Sequence, residues 1–314
     1  MSSSPSLVKA VQQAMQRIAP LRLAESWDNV GLLLEAPFEK SRQRHRVMLT
    51  IDLTTPVMHE TLAHEASVLI AYHPPLFAPT RSLTLANPLH ASLLRLAAEG
   101  VSVYSPHTAL DAVWGGVNDW LAEGVLGRTH TASGASPNAS STALAASSPP
   151  LAGDIGPLAA EKKLTVQGES EGADGRLVVL EDPVHIDDIV KRVKSCLGLT
   201  MLQVAYPTNQ STAHPTPTPT IRTVAICAGS GGDMLAGKEA DVLLTGEMGH
   251  HDVLAAIAAG KHVILCGHTN TERGYLPVLA ARLAAELNGA GVVSTLGPVE
   301  VVVSQRDAHP LQFV

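Results

Sequence analysis

Cys266-Gly267-His268-Thr269-Asn270-Thr271-Glu272-Arg273 follows the short apolar run at 261–265, and this junction decides how the chain is read. A short apolar run bounded by a glycine reads as a buried strand. Asn270 or Thr271 can cap a helix that continues through Leu276–Leu287. His268 and Glu272 then stand at the carboxyl end of a strand, where open α/β sheets place their ligands. An imidazole and a carboxylate together suit a divalent metal. The plainer alternative is a Glu offsetting the helix dipole and a surface His.

Repetition of the layout shifts the balance toward a site. The apolar run Val68–Ala71 ends in Tyr72-His73-Pro74-Pro75, and 101–104 ends in Ser105-Pro106-His107 with Asp111 four residues on. The run 241–244 ends in Thr245-Gly246-Glu247, with His250 and His251 just beyond. Five of the fourteen histidines follow strand-like runs in this way, so one site lined by His, Asp and Glu is the economical reading.

Three stretches together resemble the NGG-interacting factor three family, also called the GTP cyclohydrolase I type 2 homologues. They are Glu25-Ser26-Trp27-Asp28-Asn29-Val30-Gly31-Leu32, Pro106-His107-Thr108-Ala109-Leu110-Asp111 with Gly116-Val117-Asn118-Asp119, and Leu244-Thr245-Gly246-Glu247 leading to Gly267-His268 and Thr271-Glu272-Arg273. The resemblance covers residues 5–129 and 175–314. It implies two divalent metal ions per chain, of Zn, Mn, Fe, Co or Ni type, held by His73, Asp111, His268 and Glu272, with Glu272 as the bridge. It also implies a ring-like homo-oligomer, a hexamer in the family's manner. One departure stands out. Many members carry His-His before the proline, and this chain carries Tyr72-His73. A neutral phenol, with a pKa of about 10, is a poor ligand beside imidazole. His107 then either fills in as a ligand, supports one, or transfers a proton.

The expected fold class is α/β. Two α/β lobes, each with strand–helix alternation, hold the metal site in the crevice between them. The expected domains are a first lobe at 1–128, a flexible Ala/Ser/Gly-rich linker at 129–174, and a second lobe at 175–314 with a disordered Pro/Thr loop at 207–220. Helices are expected at Leu7–Ile18 and Ile186–Leu197, and edge strands at 291–295 and 299–303.

Net charge is −7 with no basic block, which argues against direct nucleic-acid binding. Only 3% of residues are aromatic, so the core must be built from Leu, Val, Ile and Ala. No apolar run approaches the length of a membrane span. Cys196, Cys227 and Cys266 lack metal-finger spacing and read as reduced thiols. Cys266 reads as a small buried residue rather than a nucleophile. A cytoplasmic protein is expected, with mitochondrion or nucleus as minor options.

Several residues carry two readings. The turn Gly229-Ser230-Gly231-Gly232 either cradles a phosphate through its N–H groups or simply needs glycine for positive φ. Asp28 either supports the site or ties a turn, the latter preferred. Tyr72, His250 and His251 are expected to support the ligands, with His251 facing inward.

The leading function is metal-dependent hydrolysis of a small substrate carrying a nucleotide or phosphate. Metal would lower the pKa of water from about 15.7 toward about 7, and His107, or less favourably Glu247, would move the proton. The competing function is a non-enzymatic, metal-stabilised scaffold with a protein partner in transcription.

Overall fold

A computed structural model describes residues 6–128, 149–163, 169–207 and 220–312. Most of the Ala/Ser-rich segment and of the Pro/Thr loop, 129–148 and 208–219, lies outside the described residues. The strands are β1 (Gly31–Leu34), β2 (His45–Thr50), β3 (Val68–Ala71), β4 (Ser102–Ser105), β5 (Gly153–Pro157), β6 (Glu161–Lys163) and β7 (Ser170–Ala173). They continue with β8 (Arg176–Val184), β9 (Gln203–Ala205), β10 (Ile221–Ser230), β11 (Val242–Glu247), β12 (His262–Leu265) and β13 (Val299–Val303). The class is α/β, and the chain forms two units with one main sheet each.

Unit 1 runs to Leu110 and takes in Tyr275–Ala308. Its sheet has the order β1-β4-β3-β2-β13, parallel except for β1 at one edge. Val68–Ala71 is buried along its whole length, as a strand covered on both faces must be. Met48, Leu69 and Val103 pack with Val57 and Met58 of the helix Thr55–Ala63 and with Leu93 and Leu96 of the helix Pro88–Ala98. Both helices start on a side-chain cap, Thr54 and Asn87, with proline in the first turn. The expected helix Leu7–Ile18 forms and buries Leu7, Val11, Met15 and Ile18.

Unit 2 comprises Asp111–Gly274 and the tail from His309. Its sheet has the order β5-β8-β10-β11-β12-β9, with β10, β11 and β12 parallel and the flanking strands antiparallel. Its keystone is Arg176, which is fully buried. The guanidinium makes two bonds to Asp119, of 2.9 and 2.6 Å, and donates to the carbonyls of Ala112, Val113, Ala173 and Gly175. Its carbon also lies 4.2 Å from the Trp114 ring centroid. A charge so deeply buried is tolerated because its donors are satisfied.

Three expectations are corrected. The unit boundaries fall at Leu110 and Gly274, not at 128 and 175. The helix Val117–Leu126 belongs to unit 2, where a Cβ on Gly124 would lie 2.3 Å from Cys196 Sγ. At the other end, β13 pairs with β2 in unit 1, because Val-Glu-Val-Val-Val fits any open sheet edge and does not name its partner. Second, the described part of 129–174 is not linker. β5 pairs with β8 through backbone bonds that need no large side chains, and a Cβ on Gly153 would meet Val179 O at 2.6 Å. Third, residues 291–295 lie in a helix, Ala290–Leu296, between Gly289 and Gly297. The flanking glycines and exposed position outweigh the β preference of Val292 and Val293.

Candidate metal centre

In unit 1 the sheet delivers two histidines. The ladder runs past β3, with Tyr72 N–H donating to Thr50 O at 2.9 Å and His73 N–H to Ile51 O at 3.0 Å. His73 Nδ1 lies 2.9 Å from Asp52 Oδ1. His107 Nδ1 lies 2.8 Å from Asp28 Oδ1, and its N–H donates to Tyr72 O at 3.2 Å. A carboxylate accepts, so each Nδ1 carries a proton, and in the neutral imidazole Nε2 keeps the lone pair. His107 has φ +31°, a strained value for a residue with a side chain, and its neighbours hold it there. The rings of His73 and His107 are 5.3 Å apart, and buried Tyr72 packs edge-on against both, at 5.0 and 5.7 Å.

Asp28 has a fully buried carboxylate. Besides His107 it accepts from Thr108 N–H at 3.1 Å and Thr108 Oγ1 at 2.5 Å. Burial pushes its pKa up, but the bonds to His107 and Thr108 outweigh that and leave it below the ordinary value. Asp28 is therefore the residue that orients His107.

In unit 2 the ladder also overruns its strand, with Gly267 N–H donating to Gly246 O at 2.8 Å. His268 then stands past the carboxyl end of β12, an interior strand of the sheet. Its Nδ1 lies 2.9 Å from Glu247 Oε1, and its Nε2 lies 3.4 Å from Glu272 Oε1. Glu272 is only 3% exposed, on the short helix Asn270–Arg273. Gly229, at φ +65°, passes directly beside this pair: a Cβ there would lie 2.7 Å from Glu272 Oε1 and 3.0 Å from His268 Nε2. Asp111 belongs to the same neighbourhood. Cys227 has its pKa pushed up to about 12, first by burial and then by the carboxylates of Asp111, Asp174 and Glu272. The donors fit a divalent ion of intermediate softness, and the His268–Glu272 pair is a His/Glu group able to hold one. A carboxylate on the far ring nitrogen of a histidine is the usual support of a metal-binding imidazole.

A family described as Duf34/NIF3 (NGG1p interacting factor 3) matches residues 6–310. The chain belongs to this family. Protein NIF3 homolog of Schizosaccharomyces pombe is 40% identical over 98% of the chain and 99% of its own length. NGG1-interacting factor 3 of Saccharomyces cerevisiae is 35% identical over 95% and 94%. The solved structure of Staphylococcus aureus protein SA1388 shares the fold, with a TM-score of 0.72, 21% identity and coverage of 98% and 99%.

Within this Duf34/NIF3 chain the expected site residues fall into distinct roles. Asp111, His268 and Glu272 lie in unit 2, and His73 and His107 in unit 1. Glu247 holds His268 Nδ1 at 2.9 Å. His250 and His251 are exposed at the start of the helix His250–Ala258, with rings 5.3 Å apart, so the inward-facing expectation for His251 fails. Of the turn Gly229, Ser230, Gly231 and Gly232, two N–H groups already have partners. Gly229 N–H donates to Thr271 Oγ1 and Gly231 N–H to Thr245 Oγ1, both at 2.9 Å. Two of the turn's four N–H groups are therefore engaged by scaffold hydroxyls, and Gly229 and Gly231 allow close approach. Asp52 was not expected. It follows β2 just as the histidines follow their strands, and that shared placement was the available signal.

Proposed function

We propose that His73, His268 and Glu272, joined by Asp111, bind divalent metal, with Glu272 shared between two ions, and that the protein hydrolyses a small substrate carrying a nucleotide or phosphate. One observation carries this reading. Three strand-exit histidines, His73, His107 and His268, each rest a ring nitrogen on a carboxylate, those of Asp52, Asp28 and Glu247. That arrangement fixes the tautomer and raises the basicity of the opposite nitrogen. His73 and His268 present it to metal, and His107, strained and oriented by Asp28, presents it to a proton. Bound metal supplies Lewis-acid chemistry. His107 takes or returns the proton at Nε2, and Asp28 keeps the proton on Nδ1. Tyr72 packs the two imidazoles in place and is not a ligand in this scheme.

The proposal includes a cytoplasmic, ring-like homo-oligomer. The test is hydrolysis of a panel of phosphate esters by the metal-loaded chain. His107→Ala should lower kcat about 100-fold, the usual scale for a general acid or base, while metal content stays the same. Turnover unchanged in His107→Ala would overturn the proton-transfer role. No turnover above a chelated control would overturn the hydrolase.

A second reading, a metal-stabilised scaffold, takes its support from the name of the Saccharomyces cerevisiae relative, which describes an interaction with another protein. Under that reading chelation dissociates the oligomer and no substrate is turned over.

A further inference from the structure

Unit 1 exposes two large aromatic side chains beside its histidines. Trp27 is 61% exposed and Phe77 is 56% exposed, in a chain with three Trp and three Phe. Their ring centroids are 6.0 Å apart at 69°. Each lies 6.2 Å from the His107 ring, at 75° and 79°. The three rings form one edge-to-face cluster, continuous with His73 through the His73–His107 contact.

The chain beside these exposed rings is tied down. Trp27 is tied down by its neighbour Asp28 and by Glu25 N–H, which donates to Thr108 Oγ1 at 3.0 Å. The segment before Phe77 is tied by Asn29 Nδ2, which donates to Leu76 O at 2.5 Å. Aromatic side chains have only two rotatable bonds and lose little entropy on binding, which is how recognition surfaces use them.

We propose that Trp27 and Phe77 form a recognition shelf for a planar heteroaromatic ring, carried by a ligand whose oxyanion end reaches the His73 side. The oxyanion half rests on the metal-binding reading above; the ring half does not. Aromatic faces attract flat π-systems and tolerate many of them. His107 Nε2, its Nδ1 committed to Asp28, supplies an acceptor beside the shelf. A second copy of the chain is a poorer occupant. The two rings expose on the order of 200–300 Å², well short of the ~800 Å² that each partner buries in a stable interface.

The test compares ligands that differ only in the ring. The four ribonucleoside 5′-monophosphates and ribose 5-phosphate are titrated into the full chain by calorimetry, with and without loaded Mn²⁺. At least one nucleotide should bind ten-fold or more tightly than ribose 5-phosphate. Trp27→Ala and Phe77→Ala should each remove most of that preference without changing affinity for ribose 5-phosphate or metal content. Trp27→Phe, which keeps a ring, should retain it. Equal binding of nucleotide and sugar phosphate by the wild type would overturn the shelf. A preference that survives Trp27→Ala, or a change in sedimentation mass in that variant, would overturn it too. Metal content of the same samples is a separate readout. A wild type that takes up no Mn²⁺ sinks the metal reading, whereas the shelf stands or falls on the ring preference alone.

Discussion

Both units seat a strand-exit histidine on a distant carboxylate, His268 on Glu247 across 21 residues in unit 2, but unit 2 adds a local partner. In unit 2, His268 meets Glu272 four residues on, across the first turn of a helix. In unit 1, His107 meets Asp28 across 79 residues of sequence, and His73 meets Asp52 across 21. The unit 2 pair is set by local geometry, so it tolerates little local change. The unit 1 pairs are set by the fold, so they report on tertiary structure. The contrast extends to the cores. Each unit has an apolar cluster, and unit 2 adds a fully buried arginine.

The largest effect is expected where unit 2 depends on a single charge. Arg176→Met removes the guanidinium donors from Asp119 and four carbonyls and leaves the Asp119 charge with the Gly115 N–H. Breaking a buried pair on one side costs about 3–5 kcal/mol. Urea unfolding followed by Trp fluorescence reads this directly, because Trp114 stacks on Arg176. A loss under 1 kcal/mol would mean the arginine is replaceable packing.

Next comes the long-range pair of unit 1. Asp28→Asn should cost about 1.5–3 kcal/mol, the scale of hydrogen bonds to a buried charge. The sign in pH follows from the lowered pKa. Asp28 contributes fully above its unfolded value of about 3.9, and the contribution is lost as pH falls through its lower folded value. The variant should therefore show a shallower loss of stability in acid. It should also let His107 shift its proton to Nε2, visible as a change of tautomer in nitrogen NMR. An unchanged tautomer would remove Asp28 from its orienting role.

Gly229→Ala tests the local geometry of unit 2. The new Cβ meets Glu272 and His268 and adds a left-handed strain of about 1–2 kcal/mol. Metal affinity should fall at least ten-fold while the far-ultraviolet spectrum is unchanged. Wild-type affinity in this variant would show that the close approach is incidental.

The smallest effect is a pH term in unit 2. His262 begins β12, is 3% exposed, and packs against Tyr206 with Asp241 nearby. Burial holds its pKa below the ordinary value, against an opposing pull from Asp241. The unfolded chain therefore binds the proton more readily. Stability is full above about pH 6.5 and falls as pH drops toward the folded value. His262→Leu should flatten that part of the stability curve, and an unaltered curve would assign the slope elsewhere.

The same contrast explains what was legible in the sequence. His268 and Glu272 could be read because their spacing and strand exit are local. Strand exits also exposed His73 and His107, and the family resemblance supplied Asp111. The partners that orient the histidines were not legible as such. Asp28 looked like a turn residue, because nothing near residue 28 points to residue 107. Unit boundaries were misplaced for the same reason: β13 crosses to pair with β2, and Asp111–Leu126 follows β4 in sequence while packing elsewhere. The turn at 229–232 stays two-valued in sequence because glycines that allow close approach look like glycines that cradle phosphate.

Metal titration of Glu272→Ala by calorimetry, with metal content from mass spectrometry, tests the central claim most directly. The account predicts that this one change weakens every bound ion at least ten-fold, because a shared ligand is lost, while His73→Ala spares part of the binding. Full metal content in Glu272→Ala, with affinity equal to wild type, would contradict it.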